Sequence, residues 1–340
     1  MLTTTDAAVS TPARVAPAAA RQVAAPAGVG RAARAPKPAA RPYAVTVSGI
    51  QQLTPTFLRV TFTGPELSEF GTDGLDQRVK VMLPLPGVGL TPLDPSNWYG
   101  AWRELPAEKR NPLRTYTVRA VRPEFSEIDI DFVAHGDSGP ASRWVTSAEL
   151  GDELVIVGPT LRSDGLVSGV EWKPGDATCV LLAGDETAAP AICAIVSSLP
   201  RDAKGCAFIE VPSIADALPI DAPEDVHVTW LARGDAAHGS ALDPAVRAWT
   251  DTFLAEGHQS DCGADVNSGA DVDRLADVDI ENGILWEVPE PTSHSGGLYA
   301  WLAGEAGVIK TLRRFLVTET GLDRHQVAFM GYWRLGRAES

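Results

Sequence analysis

The chain predicts two domains of different class: an antiparallel six-stranded β-barrel, then an α/β domain on a parallel sheet. Two patterns carry this. Residues 43–160 hold six short strand-like runs broken by Gly/Pro turns, with one helical stretch. Residues 176–336 alternate apolar runs with helical periods, the order of a parallel sheet covered on both faces. Size agrees, since 340 residues with 44% hydrophobic content suit two packed cores. The expected boundaries are an Ala/Pro/Arg-rich disordered tail at 1–40, the barrel at 41–173, and the α/β domain at 174–340 with an acidic insertion at 256–290.

The tail lacks aromatics and periodic apolar positions, which is why it reads as disordered. It has no unbroken apolar run of signal-peptide length, and no stretch of the chain approaches a membrane span. A cytoplasmic protein is expected. The net charge is −15, which argues against nucleic acid or an anionic membrane as partner. Residues 1–42 hold six Lys/Arg and one acid, so the remainder stands near −20.

The barrel strands are expected at Tyr43–Gln52, Thr56–Thr63, Arg78–Leu83, Arg114–Val121, Glu127–Val133 and Glu153–Val157, with a helix near Ala141–Leu150. Between the third and fourth, Pro84–Asn111 is rich in Pro and Gly and carries Trp98, Tyr99 and Trp102. Those rings either cover a ligand or pack beneath a long loop.

The fourth strand holds the most informative residues, Arg114-Thr115-Tyr116-Thr117. Strand alternation sends Arg114 and Tyr116 to one face and Thr115 and Thr117 to the other. A flavin asks for such a set: a guanidinium for phosphates, a ring against the isoalloxazine, and a small hydroxyl near N5. Surface decoration is the plain alternative. The next strand runs into Ala134-His135-Gly136-Asp137-Ser138-Gly139-Pro140-Ala141-Ser142. Glycines permit a tight turn, Pro140 suits a first helical turn, and a helix start presents free N–H groups to an anion. The Gly136/Gly139 spacing is not the Rossmann fingerprint.

In the second domain, strands are expected at Thr178–Ala183, Cys206–Val211, His227–Leu231, Leu298–Leu302 and Gln326–Met330. Helices are expected at Ala188–Ser198, Leu242–Ala255 and Glu305–Glu319. Ligands of such sheets bind beyond the C-terminal strand ends, where Gly184–Thr187, Pro212–Ser213, Arg233–Gly234 and Gly304–Glu305 converge. Thr187 can cap the first helix or reach a flavin edge. Asp185 and Glu186 read as complements of the helix dipole, not as a catalytic pair. The acidic insertion imitates a calcium loop but lacks the ligand order of an EF-hand, so no metal is expected. Cys179, Cys193, Cys206 and Cys262 have no metal-binding spacing. The histidines form no ligand pair, and His135 adjoins the candidate phosphate turn.

These segments, together with Tyr299–Ala306, Lys310, Arg313-Arg314 and Gly331-Tyr332-Trp333-Arg334-Leu335-Gly336, resemble the siderophore-interacting protein family over residues 41–336, with a gap near 256–285. The family comprises FAD-dependent ferric-siderophore reductases of the ferredoxin-reductase superfamily. Ala189 and Val145 depart from its usual residues and look like packing changes. The resemblance implies FAD and NAD(P)H as cofactors and a ferric siderophore as substrate. It implies that Arg114 and Ser142 hold the FAD phosphates, with the backbone at Gly139 and Ala141. Tyr116 would pack on the isoalloxazine and Thr117 would sit near N5. Thr115, His135, Gly136, Pro140, Gly184, Asp185, Glu186 and Thr187 would complete the cofactor-facing segments. Arg233 would pair with an NADPH 2′-phosphate, or stand as a surface arginine. Lys310, Arg313 and Arg314, at helical spacings of three and four, would attract an anionic ferric chelate, or form a solvated face. No catalytic acid, base or nucleophile is required, because a flavin accepts a hydride and passes electrons on singly. Two other readings stay open: a ferredoxin- or flavodoxin-type reductase, including a member drawing electrons from ferredoxin, and a non-enzymatic ferric-chelate binding protein.

Overall fold

The computed structural model describes residues 40–134, 139–161, 169–256, 285–289 and 297–336. The expected tail, most of the acidic insertion, His135, Gly136 and Cys262 lie outside the described residues. Strands β1 (Ala40–Gln52), β2 (Phe57–Thr63), β3 (Arg78–Met82), β4 (Leu113–Arg122), β5 (Glu127–Val133) and β6 (Glu153–Pro159) close a barrel in the order β1-β2-β5-β4-β3-β6. Every pairing is antiparallel. Period-two alternation drives closure: Tyr43, Val45 and Val47 of β1 are buried, while Ala44 and Ser48 face water. They meet Val60, Phe62, Ile128 and Ile156 in one core, and closure leaves no unpaired edge. On β6, a Cβ at Gly158 would lie 2.4 Å from the Phe70 ring, so only glycine lets that ring close the barrel end.

The Pro/Gly-rich connection between β3 and β4 contains a helix absent from the sequence expectation, α1 (Trp98–Glu104). Its anchor is the buried Asn111, whose amide donates to the Leu83 and Gly89 carbonyls at 2.9 and 2.8 Å and accepts from the Thr91 N–H at 2.9 Å. The Trp102 indole donates to the Asn111 carbonyl at 2.8 Å, and its ring packs on Met82 and Leu113. Packing beneath the loop thus accounts for Trp102, while Tyr99 stays exposed.

After the short helix α2 (Pro140–Ser147), the second sheet comprises β7 (Cys179–Gly184), β8 (Lys204–Val211), β9 (Val226–Ala232), β10 (Trp286–Glu287), β11 (Leu298–Glu305) and β12 (Val327–Trp333). Its order is β10-β12-β11-β7-β8-β9. Five strands are parallel, as expected. The sixth, β10, runs antiparallel to β12, so the sheet is mixed. Two residues leave no periodic signal in a sequence, which is why this edge was not foreseen. Helices α3 (Ala189–Ser198), α4 (Leu242–Ala255) and α5 (Ala306–Arg313) cover both faces. Val180 and Leu182 of β7 pack with Ile192 and Ile195 of α3. Leu181 and Ala183 pack with Val246 of α4 and Ile309 of α5. The single helix expected over Glu305–Glu319 is α-helical only to Arg313, then widens into a π turn over Arg314–Glu319.

The two sheets share a core, since Phe57 and Val133 of the barrel join the α3 cluster. Two buried carboxylates strap the junction. Asp216, after β8, accepts from the Thr54 hydroxyl at 2.9 Å and the Thr56 N–H at 2.8 Å. Asp76, before β3, accepts the Glu171 and Trp172 N–H groups at 3.1 Å, and burial pushes its carboxyl up from the ordinary aspartate range.

Burial pushes the Cys193 thiol up to about 12 and the Cys206 thiol up to about 11. At pH 8 the reactive thiolate fraction is then of order one in a thousand or less. Native protein treated with iodoacetamide at pH 8 is expected to retain both thiols, and urea-unfolded protein to lose both, as read by peptide mass mapping. Rapid native labelling of Cys193 would contradict the packing of α3 described above.

Candidate functional site

Two places gather the residues singled out in the sequence. The first is where β4 and β5 meet α2. Val118 pairs with Ile130, and continuing this register sets Tyr116 beside Phe132, whose rings lie 4.3 Å apart. It also brings Arg114 toward the end of β5, where the chain turns into α2. Trp144 of α2 completes the aromatic wall, 5.4 Å from Phe132 and stacked on Phe62 at 6.3 Å. Thr117 is buried. Thr115, on the same face of β4 as Thr117, accepts from Lys80 Nζ at 2.7 Å.

The arginines of β4 differ in their commitments. Arg122 is held by Asp129 at 2.7 Å, and Arg119 lies 3.9 Å from Asp131. Arg114 has no carboxylate partner among the described residues; its Nη1 donates to the neighbouring Leu113 carbonyl at 2.7 Å. The helix beside it starts with Gly139 and Pro140, and no side chain caps it. A Cβ at Gly139 would meet no atom of the described residues within 4 Å. Ser142 departs from its expected role: its hydroxyl turns inward to the Val133 carbonyl at 3.2 Å, leaving only its backbone N–H for an anion. Among the described residues, a guanidinium with no carboxylate partner, a helix start with no side-chain cap and an aromatic cluster fit the phosphates and ring system of FAD.

The second place is the C-terminal end of the parallel strands. Asp185, just past β7, is buried and accepts four hydrogen bonds. Its Oδ1 takes the Thr187 N–H at 2.9 Å and the Thr187 hydroxyl at 2.5 Å. Its Oδ2 takes the Glu305 N–H at 2.8 Å and the Trp333 indole N–H at 2.8 Å. Burial, and then the charge of Glu186, push the Asp185 carboxyl upward. Thr187 therefore serves Asp185 and does not cap α3, whose N-cap is Ala188. Gly184 is needed by packing, since a Cβ there would stand 2.5 Å from the Ala303 carbonyl.

Glu186 and Arg233 form a bidentate pair, both contacts 2.7 Å, with side chains only 3% and 10% exposed. Arg233 is thus turned inward, away from its expected phosphate role. Glu210 is buried at the end of β8, where it accepts the N–H groups of Gly239, Ala241 and Leu242 at 2.8 to 2.9 Å and caps α4. The His238 ring packs edge-on against Trp333 at 4.7 Å and gathers with Asp185 and Glu186. Every oxygen of those two carboxylates already serves a protein donor. Glu210 and His238 were missed by the sequence reading. A glutamate inside the apolar run Cys206–Val211 was the available signal for the first; the second depends on a loop closing over β12.

The three basic residues of the C-terminal helix do not act together. Arg313 is buried and bonded to Glu287 of β10 at 2.9 and 2.6 Å, which corrects its expected place on a substrate-facing cluster. Lys310 is half-buried and Arg314 exposed.

Removing the Asp185 carboxylate strands two N–H donors from β11 and β12 in a buried place. Asp185→Ala is expected to cost about 2–4 kcal/mol of stability, with Asp185→Asn costing less, as measured by urea unfolding. A loss below about 0.5 kcal/mol would show that the carboxylate does not bind these strand ends together.

Residues 46–163 match the family model of the siderophore-interacting FAD-binding domain, and residues 177–336 match that of the siderophore-interacting protein. An uncharacterized protein of Mycobacterium tuberculosis is 32% identical over 306 residues, covering 88% of this chain and 93% of its own. The ferric vibriobactin reductase ViuB of Vibrio cholerae is 30% identical over 287 residues, covering 83% and 85%. The crystal structure of a siderophore utilization protein from T. fusca superposes with a TM-score of 0.62 at 29% identity, covering 88% and 95%. With both family models matched in order along the barrel and the α/β sheet, the chain belongs to the siderophore-interacting protein family.

Proposed function

We propose that the protein is a flavoprotein reductase that passes electrons from NAD(P)H through FAD to a ferric siderophore, releasing iron as iron(II) in the cytoplasm. The observation that carries this reading is Arg114, a guanidinium with no carboxylate partner among the described residues, set near the start of α2 in a barrel matching an FAD-binding family model. The relatives named ferric vibriobactin reductase and ferric acinetobactin reductase support the substrate class. Among the described residues no helix is long and apolar enough to cross a membrane, which is compatible with the compartment.

Bound FAD supplies the conversion of a two-electron hydride into single electrons that iron(III) accepts. The protein's own part is to bind and orient. Arg114 and the N–H groups of Ala141 and Ser142 hold phosphate. Tyr116, backed by Phe132 and Trp144, offers a ring face, and Thr117 places a small buried side chain where bulk would obstruct. The domain boundaries near residues 40 and 173 divide this cradle from the donor-binding sheet. Lys310 and Arg314 give an anionic ferric chelate two cations in an otherwise acidic chain.

Two outcomes test the reading. The purified protein is expected to be yellow, and Arg114→Ala to lose FAD affinity by at least about tenfold, as for a charge-assisted phosphate contact. Its far-ultraviolet circular dichroism should not change; full FAD affinity in the variant would remove Arg114 from the site. Separately, anaerobic NADPH or NADH is expected to bleach the flavin. Ferric catecholate or hydroxamate chelates should then restore the colour while a chromogenic ligand traps iron(II). A bleached flavin that yields no iron(II) with either chelate class would overturn the substrate assignment.

A further inference from the structure

We infer that Glu186 sequesters Arg233 and thereby makes the protein blind to the 2′-phosphate that distinguishes NADPH from NADH. The inference rests on the preceding reading of a nicotinamide dinucleotide as electron donor, and it names the specificity-determining residue of that donor site.

A dinucleotide on a doubly wound sheet lies across the C-terminal strand ends, and an arginine there accommodates a 2′-phosphate when one is selected. The loops that follow β7, β8 and β9 are residues 185–188, 212–225 and 233–241. At the C-terminal strand ends these loops contain a single Lys or Arg, Arg233, against Asp185, Glu186, Asp216 and Asp235; Asp221, Glu224 and Asp225 lie at the opposite edge, where Asp221 pairs with Arg201. A doubly charged phosphate arriving here therefore depends on one guanidinium.

That guanidinium is already engaged. Both of its Nη atoms donate to Glu186 at 2.7 Å, and Glu210 stands 4.0 Å away on the same side. Its backbone is fixed as well: the Arg233 N–H donates to the Val211 carbonyl and the Gly234 N–H to the Pro212 carbonyl, both at 3.0 Å. Swinging the side chain outward would leave the Glu186 carboxylate buried and unpaired beside Asp185. Breaking a buried pair from one side is strongly unfavourable, so a phosphate must compete against a preformed partner in a desolvated place. The Glu186 charge, not the absence of an arginine, removes the 2′-phosphate preference.

The test uses the FAD-loaded protein and two probes, adenosine 2′,5′-bisphosphate and adenosine 5′-monophosphate, with binding read by calorimetry. The wild-type protein is expected to bind both within about threefold of each other, whereas Glu186→Gln is expected to gain about tenfold for the bisphosphate alone. Arg233→Gln should leave the wild-type ratio unchanged, and it decides the matter even if Glu186→Gln folds poorly. The same variants, scored by anaerobic flavin bleaching, should show the NADPH-to-NADH ratio moving in parallel. A wild-type preference of about tenfold or more for the bisphosphate, its collapse in Arg233→Gln, or no gain in a folded Glu186→Gln would each overturn the inference. Failure of either probe to bind would overturn it too, since no adenosine site would exist to be guarded. If neither nucleotide bleaches the wild-type flavin while reduced ferredoxin does, the donor reading itself falls and takes this inference with it.

Discussion

The buried carboxylate of Asp185 is the constraint around which the second half of the molecule is arranged. It stands between β7 and β11, where the strand order of the sheet reverses, and binds groups from its own turn, from β11 and from β12. Those bonds make the ends of three strands one rigid unit. They also aim the Trp333 indole inward, which seats the His238 ring against it. The cost is electrostatic: a carboxylate out of water beside Glu186 has its charge disfavoured, and burial dominates the upward shift. Four donors offset that penalty, and Arg233 offsets the neighbouring charge.

The barrel depends on this unit through the shared core. Helix α3 begins three residues after Glu186 and lies between the parallel sheet and barrel residues Phe57 and Val133. Asp216 then fixes the junction by accepting the Thr56 N–H across it, and Asp76 holds the Glu171–Trp172 segment that leads into the sheet. The electron transfer proposed between a donor on the sheet and a flavin on the barrel would require such rigidity, because small displacements of reacting groups are costly. Here the rigidity comes from desolvated carboxylates, each satisfied by directed donors.

Charge placement separates what is structural from what is left for ligands. On β4, Arg119 and Arg122 face acids of β5, and Arg114 does not. On the C-terminal helix, Arg313 reaches Glu287 of the antiparallel edge strand, and Lys310 and Arg314 remain toward the surface. The same residue type is thus buried in an ion pair at one position and exposed at a near neighbour, where Arg314 lies 3.8 Å from Glu319. Which role it takes depends on whether the opposing strand presents a carboxylate.

The barrel, the parallel sheet and most strand positions were legible in the sequence because period-two and helical patterns depend only on which face each residue buries. The faces of β4 on which Arg114, Tyr116 and Thr117 lie were legible for the same reason, since alternation along the strand decides them. The loop residues were not legible in this way. Nothing local says that Ser142 turns to Val133, that Arg233 closes on Glu186, that Arg313 finds Glu287, or that His238 reaches Trp333. These partners lie 9 to 95 positions apart, and only the packing of the strands, helices and loops brings them into contact. Periodicity therefore determined the scaffold and the faces of its strands. The tertiary structure decided which charges are spent within the protein and which remain for a ligand, because a charge pairs with what is near in space, whatever its distance along the chain.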